Sequence, residues 1–247
     1  MTLTVGSLFS GIGGLDLGLE RAGMEVIWQS EIDPYACKVL AKHWPQVPNH
    51  GNIKDIKWGD IVRPDIICGG YPCQPFSLVG PRRGEADVRH LWPWVREAIS
   101  QLRPDYAILE NVRGHITLGL DAVLADLATI GYDAEWTVIR ASAVGASHRR
   151  ERLFIVAYPN EGSMVYSDLN GGCQATNSDA RQVIKIGRRS SNCASGAKWF
   201  SEPDVGRVAN GVPFRVDRLK GLGNAVVPQI PEIIGRAIME AERASMR

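Results

Sequence analysis

Leu8-Phe9-Ser10-Gly11-Ile12-Gly13-Gly14-Leu15 is the stretch from which the rest of the chain is read. A short β-rich run, Leu3 to Phe9, leads into a turn containing three glycines. An amphipathic helix follows, with Leu15, Leu17, Leu19 and Ala22 among its apolar positions, and Gly23 stops it. Such a turn lets a ligand come close to the backbone at a helix N-terminus. A second strand, Val26 to Ile32, carries Glu31 near its end, about 20 residues beyond the turn, where a carboxylate can accept hydrogen bonds from ribose hydroxyls. Taken alone, the pair fits a nicotinamide dinucleotide as well as an adenosyl cofactor. A plain structural turn without a ligand is the third reading.

Further along, strands and helices alternate. Helices are expected over about Tyr35 to Trp44, Leu91 to Leu102 and Leu120 to Ile130, with a last one over Pro231 to Ala244. Strands are expected at Asp65 to Cys68, Tyr106 to Leu109, Trp136 to Arg140 and Leu153 to Ala157. This order argues for an α/β fold, a mostly parallel sheet with helices on both faces. In such sheets ligands sit beyond the carboxyl ends of the strands. From about Asn160 to Gly206 the composition shifts to Ser, Asn, Gly, Asp and Arg. That stretch can bury little core and reads as a loop-rich insertion that orders on a partner. Three regions result: 1–157, 158–216 and 217–247.

The 247 residues are 45% apolar, enough for one sizeable core. Net charge is +1, so nucleic-acid binding must come from local basic clusters rather than bulk charge. No apolar run approaches the roughly 20 residues that span a bilayer. The start reads as a strand, not a signal peptide. The five cysteines form no CxxC pair and lack histidines at zinc-finger spacing. A reduced, metal-free, cytoplasmic protein without a membrane partner is expected.

Three more clusters sit after strands. In Gly70-Tyr71-Pro72-Cys73-Gln74-Pro75-Phe76-Ser77 two prolines stiffen the chain around a cysteine, a good mount for a thiolate nucleophile. Cys68, inside the apolar strand, reads instead as an inert core residue. Glu110-Asn111-Val112 places a carboxyl group where partial desolvation would raise its pKa and let it donate a proton near neutral pH. A salt-bridging or capping glutamate is the plainer reading. In Ser147-His148-Arg149-Arg150-Glu151-Arg152, Arg150 and Arg152 share one face of an extended segment and suit phosphate or carboxylate recognition.

Together and in this order, the clusters resemble the DNA cytosine-5 methyltransferase family. Phe9 to Gly14 resembles its first cofactor motif, Pro72-Cys73-Gln74 its catalytic Pro-Cys motif and Glu110-Asn111-Val112 its Glu-Asn-Val motif. Arg150-Glu151-Arg152 resembles its Arg-x-Arg motif, and Gly223-Asn224-Ala225-Val226-Val227-Pro228 its last. The resemblance implies a Rossmann-like methyltransferase fold using S-adenosylmethionine and no metal. It implies Cys73 as nucleophile toward C6 of a cytosine flipped out of duplex DNA, and Glu110 as the group at N3. Arg152 then holds the substrate edge or backbone, and Arg150 the local geometry. For the cofactor it implies Phe9, Gly11 and Gly13 at the turn, Glu31 at the ribose, Ile32 at an adenine face, and Asn52 and Ile53 at the adenine edge. Gly70 and Pro72 line the methionine side, with Leu91 and Asn224 completing the site. DNA contacts are expected from Gln74, Ser77, Arg181, Arg188 and Arg189, with Gln174 and Asn177 as further base-reading candidates, in a monomer.

His148 departs from the Gln common at its position in the family, and region 158–216 is short for a recognition module. Such compact versions look like phage or prophage enzymes of bacterial cells. A tRNA-directed enzyme, a silent DNA-binding relative and a nucleotide-dependent oxidoreductase are the competing functions.

Overall fold

The computed structural model describes residues 2–72, 91–160 and 214–245. The whole of 161–213, most of the expected insertion, lies outside the described residues. Six strands form one sheet: β1 (Thr4–Leu8), β2 (Glu25–Ser30), β3 (Ile66–Gly69), β4 (Tyr106–Val112), β5 (Tyr132–Arg140) and β6 (Glu151–Pro159). Their order is β2-β1-β3-β4-β6-β5. β1 to β4 pair in parallel, while β6 runs antiparallel to both β4 and β5. The mostly parallel sheet is therefore as expected.

Alternation along the central strands divides the core into two layers. Ile66, Cys68, Ile108, Phe154 and Val156 face one side, where α1 (Gly14–Arg21) and the terminal helix α6 (Gln229–Ser245) pack. Ile67, Ala107, Leu109, Leu153 and Ile155 face the other, against α3 (Trp92–Leu102) and α4 (Leu120–Thr129). Cys68 is fully buried, and burial pushes its thiol well up from the ordinary value, as an inert core cysteine should behave.

Local chemistry starts and stops the elements. In α2 (Pro34–His43), the Asp33 side chain accepts from the Tyr35 and Ala36 amides, and Pro34 occupies the first turn. α1 and α6 meet at Gly18, where an added Cβ would lie 2.4 Å from both the Pro228 carbonyl oxygen and the Pro231 ring. The C-terminal segment thus returns onto the first helix through a contact that admits no side chain.

Several expectations shift. β2 stops at Ser30, leaving Ile32 exposed beyond it. Leu17 is half exposed, because the buried face of α1 is formed by Leu15, Leu19 and small residues instead. β4 runs through Glu110 to Val112. A helix not foreseen, α5 (Arg215–Asn224), has no buried residue, so no apolar periodicity announces it.

Asp16, in the first turn of α1, is fully buried between neutral donors. Ser7 Oγ donates to its Oδ2 at 3.0 Å and Gln29 Nε2 to its Oδ1 at 2.8 Å. Burial pushes its pKa up to about 6 from 3.8 despite both bonds. The folded chain therefore holds this proton more tightly than the unfolded chain. Its contribution must turn unfavourable as pH rises from about 4 to about 6, by about 3 kcal/mol in all. Asp16→Asn retains acceptance from Gln29 and escapes the ionisation. Urea unfolding across about pH 4 to 7.5 should show the variant gaining on the parent by roughly that amount. A pH-independent difference would contradict the assignment.

Candidate active site

A cavity of about 720 Å³ opens at the carboxyl ends of β1, β2, β3 and β4. The turn after β1 forms its floor. Phe9 takes a left-handed backbone (φ 51), costly for a side-chain-bearing residue, and Gly11 follows with φ 55. Glu31 holds that turn in place. Its Oε2 accepts from the Gly11 amide at 2.7 Å, and its Oε1 from the Ile32 and Asp33 amides at 2.8 and 2.7 Å. An aspartate would be too short to reach across in this way, so the turn and the end of β2 form one unit.

Asn52 accepts from the Lys54 amide at 3.2 Å and starts a short 3-10 turn. Ile53 on that turn is buried toward the α3 layer while still lining the cavity. Gly70, Pro72 and Leu91 line the next wall, and Asn224 at the end of α5 closes the fourth side. The cavity thus gathers Phe9, Gly11, Glu31, Ile32, Asn52, Ile53, Gly70, Pro72, Leu91, Glu110, Arg152 and Asn224 from the expected set.

Two expected residues stand back from it. Gly13 caps α1 with φ 82, and an added Cβ would meet the Trp44 ring at 2.4 Å, so its place is behind the turn. Arg150 donates from Nη2 to the Ala225 carbonyl at 2.8 Å and so ties β6 to the segment after α5. Cys73, Gln74 and Ser77 lie outside the described residues, as do Arg181, Arg188, Arg189, Gln174 and Asn177.

Glu110 is a buried carboxyl group on the cavity wall. The β4–β6 register sets Arg152 opposite Val112, one diagonal step from Glu110 on the same face. Arg152 Nε then lies 2.8 Å from Glu110 Oε1. Burial raises the Glu110 pKa, while Arg152 and, next, Arg150 oppose that rise. Gly70 stands against the other oxygen, since an added Cβ would be 2.9 Å from Oε2. The result is a carboxyl group kept protonatable beside a guanidinium that limits how far its pKa climbs.

On the opposite face of β6, Glu151 joins the exposed Arg113 and Arg140, the latter at 2.7 Å, and both lower its pKa. Other site residues escaped sequence reasoning. Lys220 of α5 pairs with Asp33 at 2.6 Å, and Gly221 packs near Ile12 and Tyr35. These hold α5 against the cavity, with Asp217 also on its wall. Tyr71 and His115 are both buried, with the hydroxyl and Nε2 2.8 Å apart. Only the adjacency of Tyr71 to the Pro-Cys pair hinted at them. Among the described residues no cluster of three metal-ligating side chains occurs, and no helix is long and apolar enough to cross a membrane.

Comparison with known proteins places this geometry. The chain is similar to the type II methyltransferase M.BsuFI of Bacillus subtilis, 35% identical over 161 residues, 63% of this chain and 39% of that protein. It is likewise similar to M.NgoFVII of Neisseria gonorrhoeae, 34% identical over 157 residues, 61% of this chain and 42% of that protein. It spans about two fifths of the length of the curated relatives it matches. The fold is shared with the S. pombe Dnmt2 methyltransferase, with a TM-score of 0.57 at 20% identity over 75% of this chain and 55% of that one. The defining pattern of the C-5 cytosine-specific DNA methylases matches residues 3–190, and the chain belongs to that family.

Proposed function

We propose that the chain is a DNA (cytosine-5-)-methyltransferase that takes its methyl group from S-adenosylmethionine and acts on duplex DNA. The observation that carries this reading is Glu110, a buried carboxyl group with a raised pKa at the cavity wall, paired with Arg152. A silent DNA-binding module needs no protonatable acid at a cavity wall. The description of the matching family, C-5 cytosine-specific DNA methylase, favours DNA over tRNA as the substrate.

The cavity fits the cofactor by its shape and donor set. Gly11 leaves open space over the turn, its nearest neighbour to an added Cβ being 4.0 Å away. Glu31 retains lone pairs for ribose hydroxyls beyond those its backbone bonds use. Phe9, Ile32 and Ile53 offer apolar surface to a purine, and Asn52 a polar edge. Gly70, Pro72, Leu91 and Asn224 would bound the amino-acid end. When bound, the cofactor supplies an electrophilic methyl group.

The residues divide the remaining work. C5 of cytosine is a poor nucleophile until the ring becomes enamine-like. Cys73, as thiolate, adds to C6, and the displaced ring electrons make C5 nucleophilic. Glu110 gives its proton to N3, so no anion accumulates on the ring. After methylation at C5, solvent takes the C5 proton, the C6–sulfur bond breaks to return the thiolate, and N3 returns its proton to Glu110. Arg152 orients Glu110 and the substrate edge, and Arg150 holds the neighbouring backbone. The base must leave the stack for this, at a cost of a few kcal/mol. Gln74, Ser77, Arg181, Arg188 and Arg189 are assigned to the DNA, where arginines contact phosphates or guanine edges.

Methylome sequencing of cells expressing the chain should reveal 5-methylcytosine at a defined site, lost in Cys73→Ser. Methylation of tRNA but not of duplex DNA would redirect the substrate. For Glu110→Gln, kcat should fall about 10²- to 10⁴-fold, the usual range for a missing general acid. Retained turnover in Gln would remove the acid role.

The pH profile tests Arg152. The acid is active while protonated, so kcat should fall as pH rises through the Glu110 pKa. Arg152 lowers that pKa. Arg152→Met should therefore move the alkaline limb to higher pH even as the maximal rate drops. A limb that stays in place would separate Arg152 from the acid.

A further inference from the structure

Tyr71 is the last buried residue before the nucleophile segment, and Pro72 beside it is already exposed. Three elements converge on Tyr71. From β4, Asn111 Nδ2 donates to the Tyr71 carbonyl at 3.2 Å. From α3, the Trp92 ring packs on the Tyr71 ring with centroids 5.4 Å apart, and its own indole nitrogen donates to Asp126 at 2.7 Å. From the 3-10 turn after β4 (Arg113–Thr117), His115 meets the ring edge-on at 79° and accepts or donates through Nε2 at 2.8 Å from the hydroxyl.

The backbone bond and the ring packing would serve a phenylalanine equally well. The hydroxyl adds a direction. A buried phenol usually takes a hydrogen-bond partner, and the bond to His115 Nε2 at 2.8 Å gives the ring's rotation and depth a preferred setting. Proline at 72 then limits how motion at Tyr71 can be absorbed before Cys73, because it fixes its own φ and restricts its predecessor. His115 itself does not line the cavity.

We infer that His115 is a positioning residue for the nucleophile, acting through the Tyr71 hydroxyl to fix where the chain leaves β3 at Pro72, one residue before Cys73 in the sequence. The inference rests on the reading of Cys73 as nucleophile. It adds a residue outside the cavity that acts on the reaction through Tyr71 and Pro72, which line it.

The test uses the full chain, duplex DNA carrying 5-fluorocytosine at the target site, and three variants. His115→Leu and Tyr71→Phe each remove the bond. His115→Gln can restore it, since the Gln amide reaches about where Nε2 lies. Covalent adduct formation should slow about tenfold in His115→Leu and Tyr71→Phe, and recover most of its rate in His115→Gln. The double variant, His115→Leu with Tyr71→Phe, should be slowed by less than the product of the two single losses, because both delete the same bond. Adduct formation is followed at saturating S-adenosylmethionine, so that a change in cofactor affinity through Pro72 does not enter the rate. Parent-like adduct rates, a double variant slowed by the full product of the two single losses, or no recovery in Gln would overturn the inference. If His115→Leu does not fold, Tyr71→Phe carries the same comparison.

A parent that forms no adduct would refute the cytosine reading by itself. The positioning claim is then read from the alkylation rate of Cys73 by iodoacetamide, followed by peptide mass spectrometry. A changed rate in Tyr71→Phe supports it, and an unchanged one ends it.

Discussion

Strand β3 presents Ile66 and Cys68 to one helical layer and Ile67 to the other, and all three are shut off from water. A strand buried on both faces needs parallel neighbours and helical crossovers, which is how β1 and β4 flank it here. The connections leaving β1, β3 and β4 are then forced to emerge at one edge of the sheet. The glycine turn, the Gly70-Tyr71-Pro72 segment and Glu110 meet there for that reason. The cavity follows from two-sided burial of a four-residue strand, and a polar residue at Ile66, Ile67 or Cys68 would put the whole arrangement at risk.

Asp16, Glu110 and Glu31 are carboxyl groups close to this edge, and the fold treats each differently. Asp16 is enclosed with neutral donors alone among its hydrogen-bond partners, and its pKa rises to about 6. Glu110 is also desolvated, but Arg152 and Arg150 oppose the rise. Glu31 accepts from three backbone amides and keeps the turn closed. Environment, not residue type, separates the structural acid, the protonatable acid and the backbone clamp. Ser10 links two of these sites. It lines the cavity and donates from Oγ to Ser7 Oγ at 2.9 Å, while Ser7 donates to Asp16.

The C-terminal segment completes the site from outside. α6 is seated on α1 where Gly18 admits the Pro228 carbonyl, and Gly235 comes close to Ala22. α5 is held by the Lys220–Asp33 pair and by the Arg150 bond to Ala225. Asp33 therefore caps α2 and anchors α5 at once, and its carboxyl is held below the ordinary range by Lys220 first and the α2 amides next. One wall of the cavity depends on contacts between residues nearly two hundred positions apart in the chain.

Local pattern was enough for the strand–turn–helix at the start, for the parallel sheet, and for the residues at strand ends. These features arise from near neighbours: glycines where φ is positive, apolar runs in buried strands, a proline after a capping aspartate. The motif order also named Glu110 and Arg152 separately. Tertiary structure alone decided their pairing, because the antiparallel register of β6 against β4 sets that distance. It likewise set the Trp44 ring where a side chain at Gly13 would lie, and gave Arg150 the Ala225 carbonyl as a partner. Helix α5 was illegible because it buries nothing and so carries no periodic signal. The Tyr71–His115 bond was illegible for another reason. Residues 44 positions apart become partners only when two adjacent strands fix where each of them ends.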